Sequence, residues 1–240
     1  MPVRLIAAVL ILSLLSPPAA PYPVPSADAD RAVLILDAGH GGEDGGAVAP
    51  DGTEEAPLNL EIVLEMRRIL ALFGITPVLT RESADIAYPD SLRSIRERKV
   101  WDQRRRAELV RETPSAVLVS VHQNLYPAPG PHGPQALWAP TEGSRELAER
   151  LETLFRETLS PDGAREACRI APEIYLMNTV TCPAVLVECG FLSNPADLAD
   201  LRDPRYRTAF AAVLTAGVLT WLDASEFGGT YERQNSVLLY

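Results

Sequence analysis

Short apolar runs that end at a histidine, a glutamate or a glycine turn, alternating with longer stretches of helical periodicity, constrain this chain most. Val33-Leu34-Ile35-Leu36 leads through Asp37-Ala38-Gly39 to His40, Val117-Leu118-Val119-Ser120-Val121 leads to His122, and Ala184-Val185-Leu186-Val187 closes on Glu188. Short β-rich runs bounded by turn residues read as buried strands, and their alternation with helices implies a parallel sheet. The fold class expected is α/β: a single domain with an about six-stranded, mostly parallel twisted sheet and helices on both faces. Strands are predicted at Ala32–Asp37, Thr76–Thr80, Ala116–Val121, Ala136–Ala139, Ile174–Met177 and Ala184–Glu188.

The helical stretches are read from their apolar spacing. Leu60, Val63, Leu64, Ile69 and Leu70 mark a first helix that Gly74 ends, and Pro57 suits its first turn, where a missing N–H costs nothing. Further helices are predicted from about Ser94 to Val110, from about Ser144 to Leu159 and from about Tyr206 to Leu222. Asn194-Pro195 is a cap and first-turn pair for a short one.

In open α/β sheets the ligand crevice lies outside the carboxyl ends of the strands. His40, His122 and Glu188 therefore converge on one sheet edge, and Glu55 is expected in the loop at the mouth of the first helix, free to point inward. Imidazole and carboxylate donors together suit a divalent metal such as zinc. A lone histidine in a glycine turn such as Gly39-His40-Gly41-Gly42 is more often structural, but four such groups at one edge reverse that weighting. His132, in a proline-rich loop, is read as lying outside the set, and Asp44 as an acid that positions the His40 loop.

With 240 residues, 47% of them hydrophobic, the chain can bury one sizeable core. Its formal charge of -10 excludes a nucleic-acid binder, which needs basic surface for phosphates, and disfavours an anionic membrane surface as partner. The arginine-dense run from Arg93 to Arg111 interleaves with acids and is read as a solvated helix face. Cys168, Cys182 and Cys189 lack the paired short spacing of a structural zinc site, and an odd count leaves no complete disulfide framework. Cys189 reads as a small buried residue beside a strand end.

Residues 1–29 are read as a signal peptide or short anchor with a proline-rich linker, because the apolar run from Leu5 to Leu15 is too short for a comfortable membrane span. The folded domain is expected over residues 30–222, exported across the cytoplasmic membrane, with any membrane contact made through an uncleaved N-terminal segment. Residues 223–240 form a tail.

These residues also carry a resemblance. Asp37-Ala38-Gly39-His40-Gly41-Gly42-Glu43-Asp44-Gly45-Gly46-Ala47 resembles the opening motif of zinc-dependent N-acetylmuramoyl-L-alanine amidases of the Amidase_3 type. Ser120-Val121-His122-Gln123-Asn124 is similar to their second histidine motif, and Val187-Glu188-Cys189-Gly190-Phe191-Leu192-Ser193-Asn194 to their C-terminal glutamate motif. The three stand in family order across nearly the whole chain after the leader, and the pattern is most similar to the germination-specific members of spore-forming bacteria. Two features depart from the family: Ala56-Pro57 follows the ligand glutamate, and Val110-Arg111 stands where an asparagine is frequent.

The resemblance implies that His40, Glu55 and His122 bind one zinc per chain and that Glu188 is the catalytic carboxylate rather than a ligand. Glu54 adjoins Glu55, and the motif's spacing to Leu58-Asn59-Leu60 selects Glu55. It implies peptidoglycan as substrate, cut at the amide between the lactyl group of muramic acid and L-alanine, in germination-type enzymes as a step toward muramic-δ-lactam in spore cortex. Zinc would polarise the carbonyl, while Glu188 takes the water's proton and returns it to the departing amine. The loop after His122 has no room for the helical plug that some relatives insert. No separate wall-binding domain is visible, so an accessory protein for activation or localisation is the other partner expected. A zinc peptidase cutting within the stem peptide, and an inactive secreted wall-binding protein, are the competing readings.

Overall fold

The structure, a computed structural model, describes residues 32–160 and 165–225. The leader and the end of the tail expected from the sequence lie outside the described residues. Six strands, β1 Val33–Ala38, β2 Val78–Leu79, β3 Ala116–Asn124, β4 Gln135–Trp138, β5 Cys168–Arg169 and β6 Ala184–Phe191, form one sheet in the order β2-β1-β3-β6-β4-β5. All neighbours run parallel except β4 and β6, which are antiparallel. The strands β1, β3 and β6 are buried on both faces, which is why they read as continuous apolar runs rather than alternating ones.

The helices are α1 Glu55–Leu72, α2 Ile95–Glu112, α3 Ser144–Thr158, α4 Tyr175–Thr179, α5 Pro195–Arg202 and α6 Pro204–Ala224. One face of the sheet presents Leu36, Val119, Val121 and Val187 to a large core built with α1, α3 and α6. The opposite face packs Ile35, Leu118 and Leu186 against Ala107 and Val110 of α2 and Leu176 and Met177 of α4. Ser94 caps α2 in a reciprocal box with Glu97, and Asn194 accepts from the Ala196 and Asp197 N–H groups to start α5.

Two expectations are corrected. Ile174–Met177 is not a strand: Tyr175–Thr179 is a short helix, and the edge strand is Cys168–Arg169. A four-residue apolar stretch fits a buried helical turn as well as a strand, and here Leu176 and Met177 point at the core. Glu55 is not in a loop either, for it opens α1, with Pro57 still in the first turn. All three cysteines are free.

The order β2-β1-β3 means that the chain leaves β1 toward one side and returns, at β3, on the other. The crevice outside the carboxyl ends of β1 and β3 is therefore a topological switch point, the usual ligand position in such sheets.

Candidate metal centre

His40 stands two residues past the end of β1 and adopts φ 60, a left-handed conformation unusual for a residue with a side chain. Two buried arginines hold that turn. Arg106 Nη1 donates to Ala38 O and Nη2 to His40 O, both at 2.7 Å, while Arg81 donates from Nε to Ala38 O at 2.9 Å and from Nη2 to Gly39 O at 3.1 Å and Ala56 O at 2.7 Å. Arg81 thus ties the β1 turn to the start of α1. Arg106 also pairs with Asp37 at 2.7 Å and with Asp102 one helical turn earlier. Burial works against the charge of Asp37, but Arg106, followed by the Ser120 hydroxyl, holds its carboxyl below the usual range. Burial and then the neighbouring Arg106 bring Arg81 down to about 10, which leaves it charged at neutral pH.

This corrects the reading of the arginine run. Most of α2 is solvated, but Arg106 is only 3% exposed, because its position on the helix faces Asp37. Arg81 was not singled out from sequence at all. Asp102 at i−4 to Arg106 was the available signal for the first, and nothing local marks the second.

Gly39 is required here by space. A Cβ at this position would stand 2.3 Å from the His122 ring. Gly46, at φ 72, would place one 2.6 Å from Glu55 Oε2 and 2.8 Å from the His40 ring.

His40, Glu55 and His122 come together, with one ligand atom from each all within 4.8 Å of one another. Glu55 Oε1 lies 2.9 Å from His122 Nδ1, and Oε2 lies 3.4 Å from His40 Nε2. Four-coordinate zinc with ligands at about 2.1 Å sets neighbouring donors roughly 3.4 Å apart, so this donor set fits such an ion. His40 Nδ1 lies 2.9 Å from Asp44 Oδ2, and Lys99 lies 2.7 Å from the other carboxylate oxygen. Burial opposes the Asp44 charge, but these contacts hold its carboxyl well below the usual range. An ionised Asp44 accepts the Nδ1 proton, leaving His40 Nε2 as the free lone pair. His132 lies outside the cluster.

Glu55 is the most heavily supported member. Its Oε1 accepts from the Gln123 N–H at 3.0 Å and Asn59 Nδ2 at 3.2 Å, and its Oε2 accepts from the Ala47 N–H at 2.8 Å. Burial would raise its carboxyl, yet the His122 hydrogen bond and charge, with His40 and the Ala47 N–H, bring it down to about 2. Gln123 Nε2 in turn donates to Asn59 Oδ1 at 3.1 Å. Asn59 stands four residues after Glu55 on α1, a spacing that puts both on one helix face. Its structural role was not read from the sequence.

Glu188 faces His122 in the β3–β6 register. Its Oε2 is sealed from solvent and has no hydrogen-bond partner among the described residues, an unusual state for a carboxylate oxygen inside a protein. Burial pushes the Glu188 carboxyl up to about 7, with the two histidines opposing and Glu55 adding to the rise. A partly exposed acid whose spare oxygen is shielded from solvent, beside a nitrogen and oxygen donor cluster, suits proton transfer at a metal site.

An α/β domain with a histidine–glutamate–histidine cluster at its switch point, and a partly exposed acid beside it, has the donors and the proton carrier that a metal-dependent hydrolase uses. The chain belongs to the Amidase_3 family, N-acetylmuramoyl-L-alanine amidases, which matches it over residues 34–220. It is 33% identical over 190 residues to the germination-specific N-acetylmuramoyl-L-alanine amidase of Bacillus subtilis (strain 168), an alignment covering 79% of each. It is 26% identical over 191 residues to the amidase LytC of the same organism, covering 78% of this chain and 35% of that protein. Among solved structures it resembles the CwlD amidase from Clostridioides difficile in complex with the GerS lipoprotein, with a TM-score of 0.77 and 29% identity over 81% of this chain and 100% of that one.

Proposed function

We propose that this chain hydrolyses the amide joining the lactyl group of N-acetylmuramic acid to the L-alanine of the stem peptide, with His40, Glu55 and His122 as ligands of one zinc ion and Glu188 as the catalytic carboxylate. The observation that carries the reading is the placement of the free Glu188 Oε2 in register with His122, beside the three clustered donors. Zinc held there would supply Lewis acidity toward the scissile carbonyl and make a water molecule easier to deprotonate. Glu188 takes the proton of the attacking water at its unpartnered oxygen and delivers it to the leaving L-alanine nitrogen. Asp44 keeps His40 in the tautomer that presents Nε2, and Arg81 and Arg106 hold the backbone of the His40 turn. The nitrogen and oxygen donor set supports zinc over the softer-ligand metals.

The expected organisation belongs to the same proposal: an exported catalytic domain over residues 30–222 behind a signal peptide or short anchor at residues 1–29. Similarity to a germination-specific amidase supports a role in spore walls, as a step toward muramic-δ-lactam. The relative bound to a lipoprotein supports an accessory protein for activation or localisation. Amino-terminal analysis of peptides released from purified peptidoglycan tests the reaction. New L-alanine amino termini are expected, and new termini only at residues inside the stem would replace this reading with a peptidase.

A further inference from the structure

The row of side chains that begins at His122 and Glu188 continues across the sheet. In the antiparallel β4–β6 pair Gln135 stands opposite Glu188, as His122 does on the parallel side. Residues directly opposite in an antiparallel pair project to the same face, with their Cβ atoms about 5 Å apart. Gln135 is pinned in place: its Nε2 donates to Glu166 O and to Cys168 Sγ, both at 3.0 Å, and its Oε1 accepts from Arg165 Nε at 3.0 Å. The Arg165 guanidinium carbon lies 5.1 Å from the centre of the Phe191 ring, itself buried at the end of β6.

Arg165 precedes β5, and β5 runs parallel to β4, so this arginine enters the sheet at the same edge as Glu188. Its Nε is engaged, but among the described residues no carboxylate stands within ion-pair distance of it. Among the described residues the terminal nitrogens of this planar, oriented guanidinium make no hydrogen bond or ion pair, although its charge is felt by the buried Glu152, and it stands beside a site rich in Asp37, Asp44, Glu55 and Glu188. A fixed guanidinium of this kind is matched to a carboxylate, which it can grip with two parallel hydrogen bonds.

We propose that Arg165, oriented by Gln135 and Phe191, is a specificity-determining residue that binds a free carboxylate of the substrate peptide on the leaving-group side of the scissile amide. This rests on the amidase reading above. The spacing agrees with it. Gln135 lies one strand separation, about 5 Å, from Glu188, and Arg165 one hydrogen bond farther. Peptide residues advance about 3.8 Å each, so a carboxylate one or two residues past the departing nitrogen falls within reach of Arg165. The bland alternative is that Arg165 only latches the edge strand β5, and that role would give no discrimination between substrates.

The test uses the full zinc-loaded chain and two synthetic muramyl peptides that differ only in whether the residue after L-alanine carries a free carboxylate or its amide. The wild type is expected to favour the carboxylate form by about tenfold in kcat/KM, mostly through KM, as for one charge-assisted contact. In Arg165→Gln the ratio is expected to collapse toward one, and in Arg165→Lys to recover in part. Calorimetric binding of the two released peptides, which need no turnover, is read alongside and is expected to show the same order. Loss of both substrates in equal proportion, or an unchanged ratio in Arg165→Gln, overturns the proposal and leaves Arg165 a structural latch. Failure of the wild type to cut either muramyl peptide overturns the amidase reading instead. Absence of any Arg165-dependent preference in the binding data then removes this proposal independently.

Discussion

Glu55 spans the two histidines, with Oε1 2.9 Å from His122 Nδ1 and Oε2 3.4 Å from His40 Nε2. Three further hydrogen bonds from Gln123, Asn59 and Ala47 fix its carboxylate between them. Glu55→Gln keeps the shape and removes the charge. Bound zinc, measured by atomic absorption after dialysis, is expected to fall to background while circular dichroism stays that of a folded protein.

Asp44 acts one contact farther out, through His40 Nδ1. Asp44→Asn is expected to weaken zinc binding about 10–100-fold, the usual effect of removing the carboxylate behind a ligating histidine. A competitive titration with a chelator of known affinity reads this directly, and unchanged affinity would remove Asp44 from the account.

Gly39 leaves no space for a methyl group, since its Cβ would lie 2.3 Å from the His122 ring. Gly39→Ala must displace His122 or the His40 turn. Activity is expected to fall about a hundredfold, because misplacing a reacting group by about 1 Å has effects of that order. Gly52, with φ 89 and open space around it, is the control: Gly52→Asn is expected to leave activity intact.

Arg106 and Asp37 form a buried pair under the His40 turn, 3% and 1% exposed. Arg106→Leu leaves Asp37 buried without its cation and is expected to cost about 3–5 kcal/mol of stability. Arg106→Leu combined with Asp37→Asn is expected to regain part of that in urea denaturation, but not the activity, because the carbonyl of His40 has still lost its donor.

Glu152 on α3 is buried and accepts the Ala136 N–H at 2.6 Å, and burial pushes its carboxyl up to about 7. Its ordinary value is 4.5. The native state therefore holds this proton between those values while the unfolded chain releases it, so the group's contribution is full below pH 4.5 and is lost as pH rises through 7. Glu152→Gln keeps an acceptor for Ala136 and has no charge to bury. Its melting temperature is expected to match the wild type at pH 4.5 and to exceed it at pH 8. The same melting difference at both pH values would show that Glu152 does not titrate in this window.

The sheet and the convergence of His40, Glu55 and His122 were legible because both leave dense local signals. Buried parallel strands appear as continuous Val and Leu runs, and His40, His122 and Glu188 sit at their ends within glycine-containing motifs. What stayed hidden depends on contacts far apart in sequence. Arg106 looks like its neighbours in an arginine run until Asp37, 69 residues earlier, is brought beside it. The edge strand Cys168–Arg169 is two residues long and has no apolar pattern, whereas Ile174–Met177 has one and forms part of a helix. Glu55 was found by its type and spacing, but its place as the first residue of α1 follows from the Ala47 carbonyl that accepts its N–H at 2.9 Å.

Glu188 carries the central claim, and the most direct test compares the wild type with Glu188→Gln on a purified muramyl peptide while zinc content is measured in the same samples. The expected result is release of peptide with a free L-alanine amino terminus by the wild type. The variant is expected to be about 10²–10⁴-fold slower at equal zinc occupancy. A variant that cuts as fast as the wild type with its zinc in place would contradict the assignment of Glu188 as the proton-transferring group.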